Sequence, residues 1–384
     1  MSVEEHNIKP EEKKILWCDR FKNKYVRRLC INMSLLVGGS GGSLRAIGMA
    51  FVTGGVILAI LGYNPFEAYA LIFQGAFAGK YAITESLVIA TPLIFTALSF
   101  AIAYRCGVIN LGAEGQLYIG AVASGFVAIY ADFLPGPLLM IAAILAGFLG
   151  GALWGFIAGW LKVKFGASEL ITTIMMNYIG INLVGYLVYG PMREPGAVEP
   201  LSRFIQESAR LSIIVPGSRL SLSFLLAIGA VIFYFLFLWK TTIGYEMRVV
   251  GQNKEAARYA GIHVNKRALL AMIIAGGFAG LAGASEVLST QFRVYSYVSK
   301  GLGFDGIAIA LVGANAPIGI LLSGIFFGSM RGGASLMQVI MQTPVSVIDM
   351  LFALIIIFIT APKIYEYFKE RIKTLRLRKG GVDE

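Results

Sequence analysis

The residues best equipped for chemistry stand together in Cys106–Ala121, CGVINLGAEGQLYIGA, where Asn110, Glu114 and Gln116 interrupt two strongly apolar runs. Two amides and a carboxylate offer donors and acceptors to a polar solute, or to the backbones of neighbouring helices. Such groups are costly in hydrocarbon unless paired, so they belong in a bundle interior and not against lipid. Gly107, Gly112, Gly115 and Gly120 weaken helix continuity and let neighbouring backbones come close. The stretch reads as the broken or tightly packed start of a membrane helix. Two roles stay open for its polar residues: hydrogen-bonded packing between helices, or lining of a translocation path. Asn177, inside a later apolar run, and Asp305 and Asn315, in a second polar break, pose the same choice.

A second constellation lies in residues 240–267, where Lys240, Arg248, Lys254, Arg258, Lys266 and Arg267 make a basic internal loop. Within it NKEAARYAG reads as a short helix. Asn253 is suited to cap its start, Glu255, Ala256 and Ala257 suit the first turn, and Gly261 is suited to end it. A short capped helix projecting from a membrane protein is either a docking knob or an ordinary connection.

The elements that carry these residues are membrane helices. The chain is 57% apolar and only 14% charged, with a mean hydropathy of +0.72, and several runs approach the ~20 residues that span a bilayer. Solid apolar runs, without strand-like alternation, exclude a transmembrane barrel. The expectation is an all-α polytopic membrane bundle of 8–10 transmembrane helices, some broken or half-length. Net charge is +11, concentrated in residues 1–43 and 363–384, which places both termini in the cytoplasm. Nucleic-acid binding would also use basic ends, but acidic residues are interleaved there and the rest of the chain is membrane-embedded. Cys18, Cys30 and Cys106 show neither CxxC spacing nor a disulfide frame. The charged N-terminal segment, followed by GGSGGS at Gly38–Ser43, does not read as a cleavable signal.

In order, a membrane domain over 44–362 opens with a span at 44–62 that ends in the Tyr63-Asn64-Pro65 turn. Residues 66–86 read as an amphipathic surface piece, and the next span, near 87–104, contains Pro92. After the central motif comes a span at 137–160 with Gly147, Gly151, Gly155 and Gly159, a small-xxx-small stripe read as a packing seam. A span at 168–190 leads to an external loop, 191–220, and a span at 221–239 returns to the internal loop. Spans at 267–289 and 345–362 follow, with 301–344 between them as a broken span, or as a half-helix and a full one. The breaks near 106–116 and 301–317 are candidates for counterparts in an internal repeat, as in transporters with discontinuous helices.

No G-x-x-x-x-G-K-[ST] phosphate loop or HExxH occurs, and His6 and His263 both fall outside the spans. The carboxylates Glu114, Glu169, Glu286, Asp305 and Asp349 are scattered and do not make a proton relay. The residues describe a transport pore without its own energy source, carrying a cytoplasmic knob. The competing class is an ion-coupled secondary carrier for a small polar solute, with Glu114 and Asp305 as coupling groups.

GVINLGAEGQLYIGA at Gly107–Ala121 resembles the signature of permease subunits from ATP-binding-cassette importers of the branched-chain amino acid, ribose and nucleoside superfamily. AARYAGIHVNKRALLAMIIAGGFAGLAGA at Ala256–Ala284 and GFDGIAIALVGANAPIG at Gly303–Gly319 extend the likeness in the same order. The outer loop beginning GPMREPG at Gly190 is more similar to the larger permease subunit of BMP-type nucleoside importers. Glu255-Ala256-Ala257 with Gly261 resembles the EAA…G coupling pattern, although its later I-x-L-P part is absent. The resemblance implies coupling to an ATPase through Asn253, Glu255, Ala256, Ala257 and Gly261. It further implies a second homologous permease subunit and an external substrate-binding protein, lipid-anchored or soluble. ATP and Mg would be used by the partner ATPase, with no cofactor on this chain. The implied setting is the lipid of the cell membrane, and the implied cargo is a nucleoside or a simple sugar such as ribose.

Overall fold

A computed structural model of the protein describes residues 48, 51–299, 301–344, 349, 350, 353, 354 and 357. The basic segments 1–43 and 363–384, the start of the first span and most of the last one lie outside the described residues. Two compact units divide the chain, one of residues 1–65 and 344–384 and one of 66–343. In the first, a helix over Phe51–Ile60 (α1) ends at Gly62, whose φ of 86° favours glycine, and the chain turns through 63–64 as the sequence indicates.

The second unit is a helical bundle. Its elements are α2 (Pro65–Phe77), α3 (Lys80–Arg105), α4 (Ala113–Tyr130), α5 (Gly136–Phe165) and α6 (Glu169–Tyr189). They continue with α7 (Leu222–Lys240), α8 (Thr242–Gln252), α9 (Lys254–Tyr259), α10 (Val264–Ser285), α11 (Leu302–Val312) and α12 (Pro317–Met341). A π-helical turn over Glu286–Gln291 prolongs α10. Among the described residues six helices are long and apolar enough to cross a membrane, namely α3, α5, α6, α7, the extended α10, and α12. The 18-residue α4 and the shorter α1 and α11 add to them.

Burial sorts these helices. The most apolar windows of α3 and α10 are 83% and 78% buried, against 33% for α5, α6 and α7. The first two are therefore the interior posts, and the other three present apolar side chains outward, as helices facing lipid do.

Glycine sets the closest approaches. On α5, added Cβ atoms at Gly151 and Gly155 would collide with the carbonyls of Gly276 and Met272 on α10, and one at Gly147 with Ala284. Gly120 of α4 meets Gly280 of α10, and Gly283 of α10 meets Leu117 of α4. The four-residue stripe is thus the packing seam its spacing indicates, with helix backbones in contact along α4, α5 and α10.

Three boundaries differ from the sequence reading. Residues 66–86 are not one surface piece: α2 ends at Phe77, Gly79 adopts a φ of 101°, and α3 already begins at Lys80. The basic loop contains a regular helix, α8, because Thr241 caps it by accepting from the Gly244 amide at 3.0 Å. The span expected at 267–289 starts three residues earlier, at Val264, and runs through the π-helical turn to Gln291. In 301–344 the chain forms a half-length helix followed by a full-length one, one of the two alternatives above.

Candidate functional site

The centre of the site is α11. Its 11 residues make a helix only about 16 Å long, half the thickness of a bilayer core. A helix that ends inside a bundle leaves free amides at one pole and free carbonyls at the other. Both poles are met by charge. Glu114 of α4, 4% exposed, accepts hydrogen bonds from the Gly301 amide at 3.2 Å and the Gly303 amide at 2.7 Å. At the opposite pole Arg105, the last residue of α3, donates to the carbonyls of Ala314 at 3.1 Å and Asn315 at 3.0 Å. The anion therefore lies at the positive end of α11 and the cation at its negative end, the stabilising arrangement for a helix dipole. Tyr234 of α7 donates a further hydrogen bond to the Asn315 carbonyl at 2.9 Å.

Between those charges, residues 106–112 form a non-helical link, made by a φ of 71° at Gly107. Asn110, fully buried, holds it in shape. Its side-chain oxygen accepts from the Gly112 amide at 3.0 Å, and its amide donates to Ser99 at 3.1 Å and Gln116 at 2.9 Å. Asn177 of α6 accepts from the Gly115 amide at 2.8 Å and donates to the Leu111 carbonyl at 2.8 Å. Gly115 is required there, because a Cβ would press within 2.8 Å of the Asn177 backbone. Asn110, Gln116, Asn177 and Glu114 thus all serve backbone or side-chain partners inside the protein. Asn315 contributes through its carbonyl and sits at a φ of 53°, in the turn that joins α11 to α12.

Asp305, in the first turn of α11, differs from these residues. Its carboxylate lies 2.8 Å from a guanidinium nitrogen of Arg331, at the middle of α12, and both side chains stay partly exposed. Arg105, Tyr234 and Arg331 were not singled out from the sequence. A lone Arg within the apolar run of α12 was the available signal, since an intramembrane charge calls for a partner.

At one end of the bundle the link meets the helix that precedes the knob. A Cβ on Gly251 of α8 would collide with the Arg105 carbonyl, and one on Gly107 would lie 3.1 Å from Gly251. The α9 helix is capped as its sequence indicates, with the Asn253 side chain accepting from the amides of Glu255 at 3.0 Å and Ala256 at 3.1 Å. Gly261, with a φ of 78°, closes it by donating to the Arg258 carbonyl at 3.0 Å. Ala257 is fully buried and anchors the turn, while Lys254, Glu255, Ala256 and Arg258 are exposed and Tyr259 is 94% exposed. At the opposite end of α4 and α10, the 191–220 segment is ordered by backbone bonds from Ser202 to Val294 and from Leu211 to Leu288.

A polytopic helical bundle with a half-length helix packed inside it is an architecture shared by transport proteins. Residues 82–360 match the family described as branched-chain amino acid transport system, permease component, and the chain belongs to that family. It is 35% identical to the guanosine ABC transporter permease protein NupP of Bacillus subtilis, over 86% of this chain and 95% of that one. It is 33% identical to the nucleoside ABC transporter permease protein NupB of Lactococcus lactis, over 87% of this chain and 94% of that one. It is 32% identical to the glucose ABC transporter permease protein TsgB13 of Haloferax volcanii, over 83% and 87%. No solved structure matches the chain. The protein is a multi-pass permease of the cell membrane.

Proposed function

We propose that this chain carries nucleosides into the cell as one permease subunit of an ATP-binding-cassette importer. The observation that supports this most is its similarity to the guanosine and nucleoside permeases over nearly their full length. The glucose permease favours a second reading, a simple sugar, with the ribose moiety as the shared chemistry. ATP and Mg belong to a separate ATPase, and this chain holds neither. A second homologous permease and an external binding protein, lipid-anchored or soluble, complete the assembly. The 191–220 segment faces outward and the 240–267 segment faces the cytoplasm.

In this mechanism α9 seats in the ATPase. Its exposed face, with Lys254, Glu255, Ala256 and Arg258, makes the contact, and Asn253 and Gly261 fix its ends. Closure of the ATPase pair moves α8 and α9. Because Gly251 of α8 touches Arg105 and Gly107, that motion reaches the link and, through Arg105, the lower pole of α11. Asn110, Glu114, Gln116, Asn177 and Asn315 act as central packing that holds the half-helix, and Asp305 stands nearest to the solute.

The experiment is affinity purification of the tagged chain from gently solubilised native membranes. Recovery of a P-loop ATPase with the wild type, and its loss with Gly261→Pro or Glu255→Arg at unchanged membrane content, is the expected result. Retention of the ATPase by both variants removes α9 as the docking element.

A further inference from the structure

We propose, on the importer reading above, that the face of α12 bearing Arg331, Ser335 and Gln338, together with Asp305 of α11, is the wall of the solute path. Arg331 lies 14 residues into α12, about 21 Å along its axis, and its partner Asp305 sits in the first turn of the half-helix, at the pole that Glu114 meets. Both side chains are therefore well inside a hydrocarbon layer of about 30 Å. They nonetheless remain open, at 21% and 26% exposure. Ser335 and Gln338 follow Arg331 at intervals of four and three, which places all three on one side of the helix. Ser335 is exposed and Gln338 half-exposed, and Gln342, exposed, continues the line at the helix end.

A charged and amide-bearing face at this depth is not stable against lipid tails. The opposite side of α12 shows what a lipid-facing surface looks like here, with Ile318 and Leu322 at 60% and 62% exposure. The amides of the central motif are already occupied by protein partners, whereas Arg331, Ser335 and Gln338 keep accessible polar groups. Its chemistry matches a neutral hydroxylated solute. Paired charges of opposite sign favour neither anions nor cations, and a guanidinium beside a carboxylate offers donors and an acceptor to vicinal hydroxyls.

The test uses the whole transporter in cells without other guanosine uptake, with Cys18→Ser and Cys30→Ser. Ser335→Cys, Gln338→Cys and, as a lipid-face reference, Leu322→Cys are treated with a charged, water-soluble thiol reagent. The expected result is labelling at 335 and 338 at least tenfold faster than at 322, slowed severalfold by guanosine. Failure of the reagent to reach 335 and 338 in a transporter that takes up guanosine overturns the path assignment alone. Rapid labelling that guanosine does not slow, in such a transporter, also overturns it. Rapid labelling without any guanosine uptake supports the path and instead sinks the nucleoside reading. In the double variant Asp305→Asn/Arg331→Gln, which leaves no lone charge, guanosine uptake is expected to fall at least tenfold while the ATPase still co-purifies. Uptake at the wild-type rate would overturn the role of the pair.

Discussion

Two halves of the bundle are built on opposite principles. Along α4, α5 and α10 the contacts are glycine against backbone, with Gly147, Gly151 and Gly155 fitted to Gly276, Gly280 and Met272. Around α11 the contacts are charges and amides fitted to helix ends, with Glu114 at one pole and Arg105 at the other. Close backbone packing has one good geometry, because neither side has a rotamer to adjust. A half-helix held by side chains can shift by changing partners. The first region suits a frame and the second suits a moving part.

The comparison is broken most severely at the seam. Gly276→Leu places a side chain against the Gly151 carbonyl, and the expected outcome is no folded protein in the membrane, read by expression and detergent gel filtration. A folded, active Gly276→Leu protein would show that α5 and α10 separate readily. The next effect is at the poles. Glu114→Gln keeps one acceptor but turns an amide donor toward a backbone N–H, and should cost about 2 kcal/mol, read as a lowered thermal midpoint. Arg105→Gln should cost about 1–2 kcal/mol, since the Tyr234 hydroxyl still serves Asn315. The pair sharpens the comparison. If α11 moves as one body, the double variant departs from additivity by more than about 0.5 kcal/mol, whereas independent sites add.

Smaller effects lie at the knob. Asn253→Ala removes the cap of α9 and should cost about 1 kcal/mol of local helix stability while membrane content is unchanged. Smallest is the response of Cys106, which is fully buried, its thiol pushed up to about 12 by burial. A group raised in this way stays protonated through pH 9. No maleimide labelling of Cys106 is expected in the folded protein between pH 7 and 9, in a Cys18→Ser/Cys30→Ser background. Labelling there would mean that the α3 terminus opens.

Local signals were legible and distant ones were not. The cap at Asn253, the closing glycine at 261 and the glycine stripe of α5 each depend on residues a few positions apart, so spacing alone reveals them. Glu114, by contrast, meets amides 187 and 189 residues away, and Arg105 meets a carbonyl 210 residues away. Composition shows that a buried carboxylate needs partners, but it does not say that they are the amides of a half-helix. Helix α8 has only a weak local signature, because it is short and not strongly apolar and Thr241 alone marks its start. Arg331 is inconspicuous for a related reason, since one charge in an apolar run acquires meaning only beside Asp305.

The central claim is that this chain moves a nucleoside only when an ATPase is seated on α9. Guanosine uptake into proteoliposomes holding this permease, its second permease, the co-purified ATPase and the external binding protein tests it most directly. The expected result is uptake that requires ATP and vanishes with Gly261→Pro. Uptake by this chain alone, driven by an ion gradient and indifferent to ATP, would contradict it.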